Sequence, residues 1–370
     1  MSEAPIPLVD LAAQHEEIAA EVDRGFARVM AASAYILGPE VAEFERDFAA
    51  HCGVAHCVGV GNGTDAIELM LRAADIGPGD EVLVPANTFI ATALGVQRAG
   101  ARPVPVDCDG WFLMDPRRIE ERISPRARAL LPVHLFGQMA DMAAIGEIAA
   151  RHGLWVFEDA AQAQGARRGG RGCGGHGAAA ATSFYPGKNL GAYGDGGAVL
   201  TASAELASRL RRLRNWGSER KYHHPETGFN SRLDTLQAVV LAAKLRRLDA
   251  WNEARRRAAA RYDERLAAID GIELPKTLPG NEHVYHLYVV RVPRRDEVLA
   301  RLAAAGIGAG VHYPTPLHLH GAMESLGYRR GDFPEAERAA SEILSLPLHP
   351  HLTAAEQERV ASCLARALAS

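Results

Sequence analysis

Short apolar runs alternate with helix-length amphipathic stretches through the first half of the chain, and this alternation narrows the fold more than any other feature. Residues 57–60 are strand-like and break at Gly61-Asn62-Gly63 into a helical stretch with Ile67, Leu69, Met70 and Leu71 inside. A turn at Gly77-Pro78-Gly79-Asp80 leads to a strand at 81–85 and a helix running to Gly100. Strands follow at 103–107, 129–134 and 154–159, with a helix over 142–152 before the last of them. Strands separated by helices imply βαβ units and a largely parallel sheet. Ligands bind such sheets at the carboxyl ends of the strands. The alternation stops after Leu200. An Arg-rich helix over 203–216, a polar stretch at 217–230 and a long helical pattern over 233–268 come next. A strand at 285–292, a helix at 296–305 and an extended segment at 310–313 predict a second, smaller domain. The expected division is 1–245 for a large domain with an N-terminal arm and 246–370 for a small C-terminal one.

Within this frame one lysine stands out. The chain has 41 Lys plus Arg, of which only Lys188, Lys221, Lys244 and Lys276 are lysine. A position that keeps an amine where Arg serves elsewhere points to chemistry that needs one, since an amine can lose its proton and attack a carbonyl. Lys188 lies in Ser183-Phe184-Tyr185-Pro186-Gly187-Lys188-Asn189-Leu190-Gly191, among glycines that let a backbone approach a ligand. A surface lysine in a turn is the plain alternative.

Three other stretches carry possible chemistry. Gly61-Asn62-Gly63-Thr64-Asp65-Ala66 sits between strand and helix, where free N–H groups and the helix dipole favour phosphate. It also satisfies a loose dinucleotide fingerprint, with Asp80 and Glu81 placed like a ribose acid. A simple turn explains it as well. Asp159 ends an apolar strand, where it suits either a protonated ring nitrogen or a helix N-cap. Phe89, just past another strand end, can cover a flat ring or belong to the core. A phosphate cradle, an acid for a ring nitrogen, an aromatic face and an imine-forming lysine together are the handles of pyridoxal 5′-phosphate (PLP). A nicotinamide-dependent sugar oxidoreductase uses the glycine turn and leaves Lys188 and Asp159 without roles.

Composition sets outer limits. A 48% hydrophobic and 23% charged content is that of an ordinary globular protein. A net charge of -4 gives no electrostatic case for nucleic acid or anionic membrane. The sequence holds no apolar run of membrane-spanning length and no secretory pattern, so a cytoplasmic location is expected. Five scattered cysteines do not form a disulfide framework. The pairs His51-Cys52 and His56-Cys57 match no standard zinc spacing, so no metal is expected.

The chain resembles the DegT/DnrJ/EryC1/StrS family of PLP-dependent sugar aminotransferases. The resemblance rests on Tyr35-Ile36-Leu37-Gly38-Pro39-Glu40, Gly63-Thr64-Asp65-Ala66, Gly77-Pro78-Gly79-Asp80-Glu81-Val82, Glu158-Asp159-Ala160-Ala161-Gln162, the 183–197 segment, Asn230-Ser231-Arg232-Leu233-Asp234-Thr235-Leu236-Gln237-Ala238 and His312-Tyr313-Pro314. It implies an α/β fold of the aspartate aminotransferase type (PLP fold type I), with a mostly parallel seven-stranded sheet and a smaller α+β domain. It implies that Lys188 forms the cofactor imine and shuttles the proton. Asp159 pairs with the ring nitrogen, Gln162 touches the ring near its phenolic oxygen, and Phe89 stacks on the ring. Gly63, Thr64 and Ser183 hold the phosphate. Asn230 reaches the phosphate of a neighbouring subunit, which implies a homodimer with shared sites. Arg232 is a candidate for a carboxylate, and Tyr35, Tyr185, His312 and Tyr313 are candidates for sugar contacts. Some family members are dehydratases with His at the lysine position, and Lys188 favours transamination here.

The implied reaction transfers the amine of L-glutamate to a nucleotide-linked keto-sugar. The segment around Lys188 resembles enzymes acting at C3 of dTDP-3-keto-6-deoxyhexoses, which ranks that substrate first. Lys221-Tyr222-His223-His224 with Asn230-Ser231-Arg232 also resembles enzymes of UDP-3-keto-hexuronates. C4 keto-sugars and keto-cyclitols remain open, as does a catalytically silent protein of the same fold.

Overall fold

The computed structural model describes residues 4–369. Seven strands form the main sheet: β1 His56–Val60, β2 Glu81–Pro85, β3 Arg102–Val106, β4 Ala127–Leu130, β5 Trp155–Asp159, β6 Ala179–Ser183 and β7 Gly197–Thr201. Their spatial order is β1-β7-β6-β5-β4-β2-β3. All pairings are parallel except those of β7, which runs antiparallel to both β1 and β6. The strands are almost wholly buried, as runs of Val, Leu and Ala demand when helices cover both faces. One core layer packs the helices Gly63–Ala73 and Ile90–Arg98 on the sheet through residues such as Ile67, Leu71, Val96 and Phe157. The opposite layer packs Pro39–Cys52 and Thr235–Leu245 through Phe44, Phe48, Phe184 and Leu241.

The C-terminal part has its own core. A two-stranded antiparallel sheet, β8 Tyr288–Arg291 with β9 Ile343–Leu346, lies under the helices Leu248–Leu266, Arg295–Ala304 and Ala354–Ala369. Ile6 from the N-terminal arm enters this core, tying the two ends of the chain together.

The strand expected at 129–134 is Ala127–Leu130, and three further elements differ from the sequence expectation. Helical periodicity over residues 11–30 predicts one stretch, but the structure has two helices, Leu11–Glu16 and Ala19–Ala32, because the chain turns at Ile18 to bury it against Val22, Val240 and Trp251. The long pattern over 233–268 breaks at Arg246 and Arg247, both of which pair with Glu21. The strand expected at 285–292 begins only at Tyr288, since Tyr285 takes a left-handed backbone with φ 43°. That turn leaves His286 facing a cavity, with consequences described below. Among the described residues no helix is long and apolar enough to cross a membrane.

Candidate active site

The carboxyl ends of β1, β2, β5 and β6 open onto one cavity of about 780 Å³. From the large domain it takes Gly63, Thr64, Phe89, Asp159, Gln162 and Ser183. Tyr185 and Lys188 come from the loop after β6, and His312 and Tyr313 close the far side. Ten of the residues singled out in the sequence are therefore brought together in one place.

The lysine loop is held at both ends. The Phe184 N–H donates to Gly196 O (2.8 Å) and the Ala192 N–H donates to Phe184 O (2.8 Å). The Lys188 N–H donates to Tyr185 O (2.9 Å). Gly191 packs so tightly that a β-carbon there would lie 2.2 Å from Pro186 O, so the turn requires glycine. Burial pulls the Lys188 amine down to about 8, against the raising effect of the Asp159 charge. A lysine so placed is a usable nucleophile near neutral pH.

Asp159 sits at the end of β5 and is 4% exposed. Its Oδ2 accepts from the Thr92 hydroxyl (2.8 Å) and its Oδ1 from the Ala161 N–H (3.1 Å). Burial pushes its carboxyl above the ordinary range, while the Thr92 and Ala161 hydrogen bonds and the Lys188 charge oppose the rise. A buried carboxylate of this kind favours a cationic or N–H partner in the cavity. The N-cap alternative is not realised by a helix, because β5 runs into a turn at 161–162.

The glycine turn after β1 starts the helix Gly63–Ala73, with the Asn62 side chain accepting from the Asp65 N–H (2.8 Å). The first-turn N–H groups of Gly63 and Thr64 have no acceptor within the helix and face the cavity beside Ser183. A β-carbon at Gly63 would stand 2.7 Å from Ser183 Cβ, so this close approach also requires glycine. The dinucleotide alternative fails here on its acid. Asp80 is turned to the Gly77 N–H, and Glu81 is buried in hydrogen bonds to Ser124 and Arg126.

Gln162 accepts from the Phe136 N–H (2.6 Å) and donates to the Tyr313 hydroxyl (3.0 Å). Phe89 is half exposed to the cavity, with its ring centroid 5.0 Å from that of Tyr313. Burial, reinforced by the Lys188 charge, pulls His312 down to about 4, and its Nδ1 lies 2.8 Å from Ser345 Oγ.

Asn230, Arg232 and Tyr35 are not among the cavity residues. They form a second, outward-facing group. Asn230 is exposed and bridges to Asn215 across the base of a projecting segment whose Tyr222 is 85% exposed. Arg232 stacks on the Trp216 ring at 4.2 Å and donates to Asn215 Oδ1 (3.2 Å). Tyr35 adjoins them, since its carbonyl accepts from the Thr235 N–H (3.0 Å). Exposed Ile36, Leu37 and Trp216 give this face an apolar character.

One buried trio, His134, Glu158 and Cys173, brings metal-ligand atom types together. Each is already engaged. His134 Nδ1 accepts from the Ala140 N–H, so its Nε2 donates to Glu158, which also accepts from the N–H groups of Gly174 and Gly177. The Cys173 thiol donates to Ala163 O, and burial pushes its pKa far up. The trio fastens the segment after β5 to the sheet.

Thr92, Asn189 and His286 were missed in the sequence. Thr92 could have been found from the pairing of Thr88 and Thr92 one helical turn apart, just after a strand end. The other two carry no local signal.

The sequence model of the DegT/DnrJ/EryC1/StrS aminotransferase family matches residues 16–365. The chain is 51% identical over 356 residues to the dTDP-3-amino-3,4,6-trideoxy-alpha-D-glucose transaminase of Streptomyces venezuelae, covering 96% of this chain and 94% of that protein. The crystal structure of S. venezuelae DesV in complex with a ketimine intermediate superposes with a TM-score of 0.96 at 50% identity, over 98% of each chain. That of NtdA from Bacillus subtilis with bound cofactor PMP superposes with a TM-score of 0.91 at 31% identity, over 100% of this chain and 86% of that one.

Proposed function

Because the chain belongs to the DegT/DnrJ/EryC1/StrS aminotransferase family, we propose that it transfers the amine of L-glutamate to C3 of a dTDP-linked 3-keto-6-deoxyhexose, with PLP as cofactor. The observation that carries this reading is the single cavity that joins Lys188 and Asp159 to the Gly63–Ser183 cradle. The dTDP-3-amino sugar in the name of the S. venezuelae relative supports the nucleotide and the ring carbon.

The residues present fit the cofactor. The cradle offers N–H groups and the Ser183 hydroxyl to a phosphate at a helix N-terminus. Asp159, buried with its charged form disfavoured, suits a ring N–H. Phe89 offers an exposed face to a flat ring. When bound, PLP supplies an electron sink for the bond to be broken at the donor's Cα.

The chain's own groups then divide the work. Asp159 holds a proton at the ring nitrogen, and Thr92 and the Ala161 N–H hold Asp159. Lys188, with its amine lowered to about 8, takes the proton from the donor's Cα and later returns one to the sugar carbon. Gln162 and Tyr313 brace each other, and with His312 they line the side on which a sugar enters. One site serves both substrates in turn, which makes the scheme ping-pong.

The same reading makes the working form a homodimer. Asn230, Arg232 and Tyr35 lie on an outward apolar face rather than in their own cavity. In a second copy they complete the neighbour's site, with Asn230 at the phosphate and Arg232, held by Trp216 and Asn215, meeting a substrate carboxylate. We also assign 1–245 and 246–370 as its two domains, meeting where the helix Leu248–Leu266 begins.

The test is direct. Purified protein with PLP should be yellow, and Lys188→Ala should abolish that absorption. Glutamate-dependent amination is then screened over dTDP- and UDP-linked 3-keto and 4-keto sugars by mass spectrometry. Wild type that stays colourless in PLP overturns the cofactor assignment, and amination of only a 4-keto or UDP-linked sugar overturns the substrate.

A further inference from the structure

A chain of buried amides fixes which nitrogen of His286 carries hydrogen. Asn252 is 2% exposed, and its Nδ2 donates to Gln164 O (2.9 Å). Its Oδ1 is therefore the atom that meets Asn189 Nδ2 (2.8 Å). Asn189, 1% exposed, gives its other N–H to Val284 O (3.1 Å). Both carbonyls at the ends of this chain can only accept, so neither amide can be flipped without setting oxygen against oxygen. Asn189 Oδ1 is then left facing His286 Nδ1 at 3.2 Å. An oxygen there requires hydrogen on Nδ1.

The ring of His286 lines the same cavity as Lys188. With its Nδ1 side committed to Asn189, its Nε2 is the free edge. Burial and the charges of Lys188 and Arg255 keep the ring neutral by pulling it well below its ordinary pKa, and His312 acts in the same direction. Asn189 is also the residue next to Lys188, so the atoms that orient the ring are fastened to the lysine loop itself. The tautomer and the lysine share one anchor.

We propose that His286 is a positioning residue whose bare Nε2 accepts an N–H of Lys188 whenever Lys188 is a free amine, so aiming the lysine lone pair at the carbon from which it takes a proton. The role rests on the reading of Lys188 as the proton carrier. A lysine amine has several donors and a flexible stem, and one acceptor on its flank removes much of that freedom. Asp159, in the same cavity, is engaged with Thr92 and the Ala161 N–H.

The experiment uses the full-length holoenzyme. Nitrogen NMR with labelled histidine, assigned by the signal lost in His286→Phe, reads the tautomer directly. Hydrogen on Nδ1 with a bare Nε2 at neutral pH is expected, and a protonated Nε2 overturns the proposal whatever the activity of the variants. His286→Phe should remain yellow and lower kcat by about tenfold or more, with KM for the sugar within about twofold. The deuterium isotope effect with Cα-deuterated L-glutamate should rise, because proton transfer is the step made worse. His286→Gln, which keeps an acceptor, should restore much of kcat. A fall in kcat with an unchanged isotope effect, or no fall at all, refutes the role. Loss of colour in wild type would instead refute the assignment of Lys188.

Discussion

Gly63 and Ser183 approach so closely that a β-carbon on Gly63 would stand 2.7 Å from the Ser183 β-carbon. The first turn of one helix and the end of β6 are thereby pressed into a single anion cradle. Gly63→Ala must push them apart, at a cost of about 1–3 kcal/mol for an overpacked contact. The cradle is where that cost falls, so PLP affinity should drop by about tenfold or more. Fluorescence titration of the cofactor checks this, and unchanged affinity would mean the phosphate lies elsewhere.

Thr92 and Asp159 give a second expectation. Thr92→Val removes a 2.8 Å hydrogen bond to a buried carboxylate. Bonds of this charged type are worth about 1.5–3 kcal/mol. The Asp159 carboxyl should rise further and hold the ring proton less well. We expect kcat/KM to fall about tenfold or more, with Thr92→Ser near wild type. Equal activity in the valine variant would sever Thr92 from the chemistry.

The lysine sets a pH dependence. With its amine at about 8, the reactive neutral fraction of Lys188 grows as pH rises and levels off above about 8. The rate at which cofactor-free protein turns yellow with PLP should follow that curve. An ordinary lysine, near 10.4, would still be gaining at pH 9. A rate that keeps climbing through that range would contradict the placement of Lys188 in a dry site.

Acid sensitivity follows from buried histidines. Burial, helped by the Arg255 charge, pulls His349 down to about 4, and burial pulls His283 to about 3. Both lie below the unfolded value, so the unfolded chain binds more protons between those values and about 6.5. Stability is full above about 6.5 and drains away as pH falls toward 4. Thermal melts should show a lower Tm at pH 5 than at pH 7, and His349→Leu should narrow the gap. A gap unaltered in that variant would place the acid response elsewhere.

The outward face makes its own prediction. In the proposed homodimer, Lys188→Ala and Asn230→Ala subunits damage different halves of a shared site. Mixed dimers should regain one intact site and recover activity that neither homodimer has in full. Verified heterodimers without recovery would argue that Asn230 serves only its own chain.

The legible parts of this site are those whose chemistry depends on residue type at a strand end. Asp159 and Ser183 end β-strands, Gly63 and Lys188 follow strands, and the alternation of strands and helices already sends strand ends to one edge. The illegible parts are contacts made through space. Thr92 meets Asp159 across 67 residues, and Asn189 meets His286 across 97. No periodicity reports such pairs. The same blindness explains the strand at 285–292, where a single left-handed residue, Tyr285, outweighs an apolar run. It explains the two broken helices too, since Ile18 and the Arg246–Arg247 pair answer to partners far along the chain.

The antiparallel β7 has one more effect. Because it returns beside β6, the loop bearing Lys188 is stitched to the sheet on both sides, through Phe184, Ala192 and Gly196. A loop so fastened is a short tether. Its amine, once displaced, stays within a small volume around the reacting carbon and is never lost to bulk solvent. On the proposed reading of Lys188 as the proton carrier, two substrates of very different size can thus come and go while its amine stays at high effective molarity.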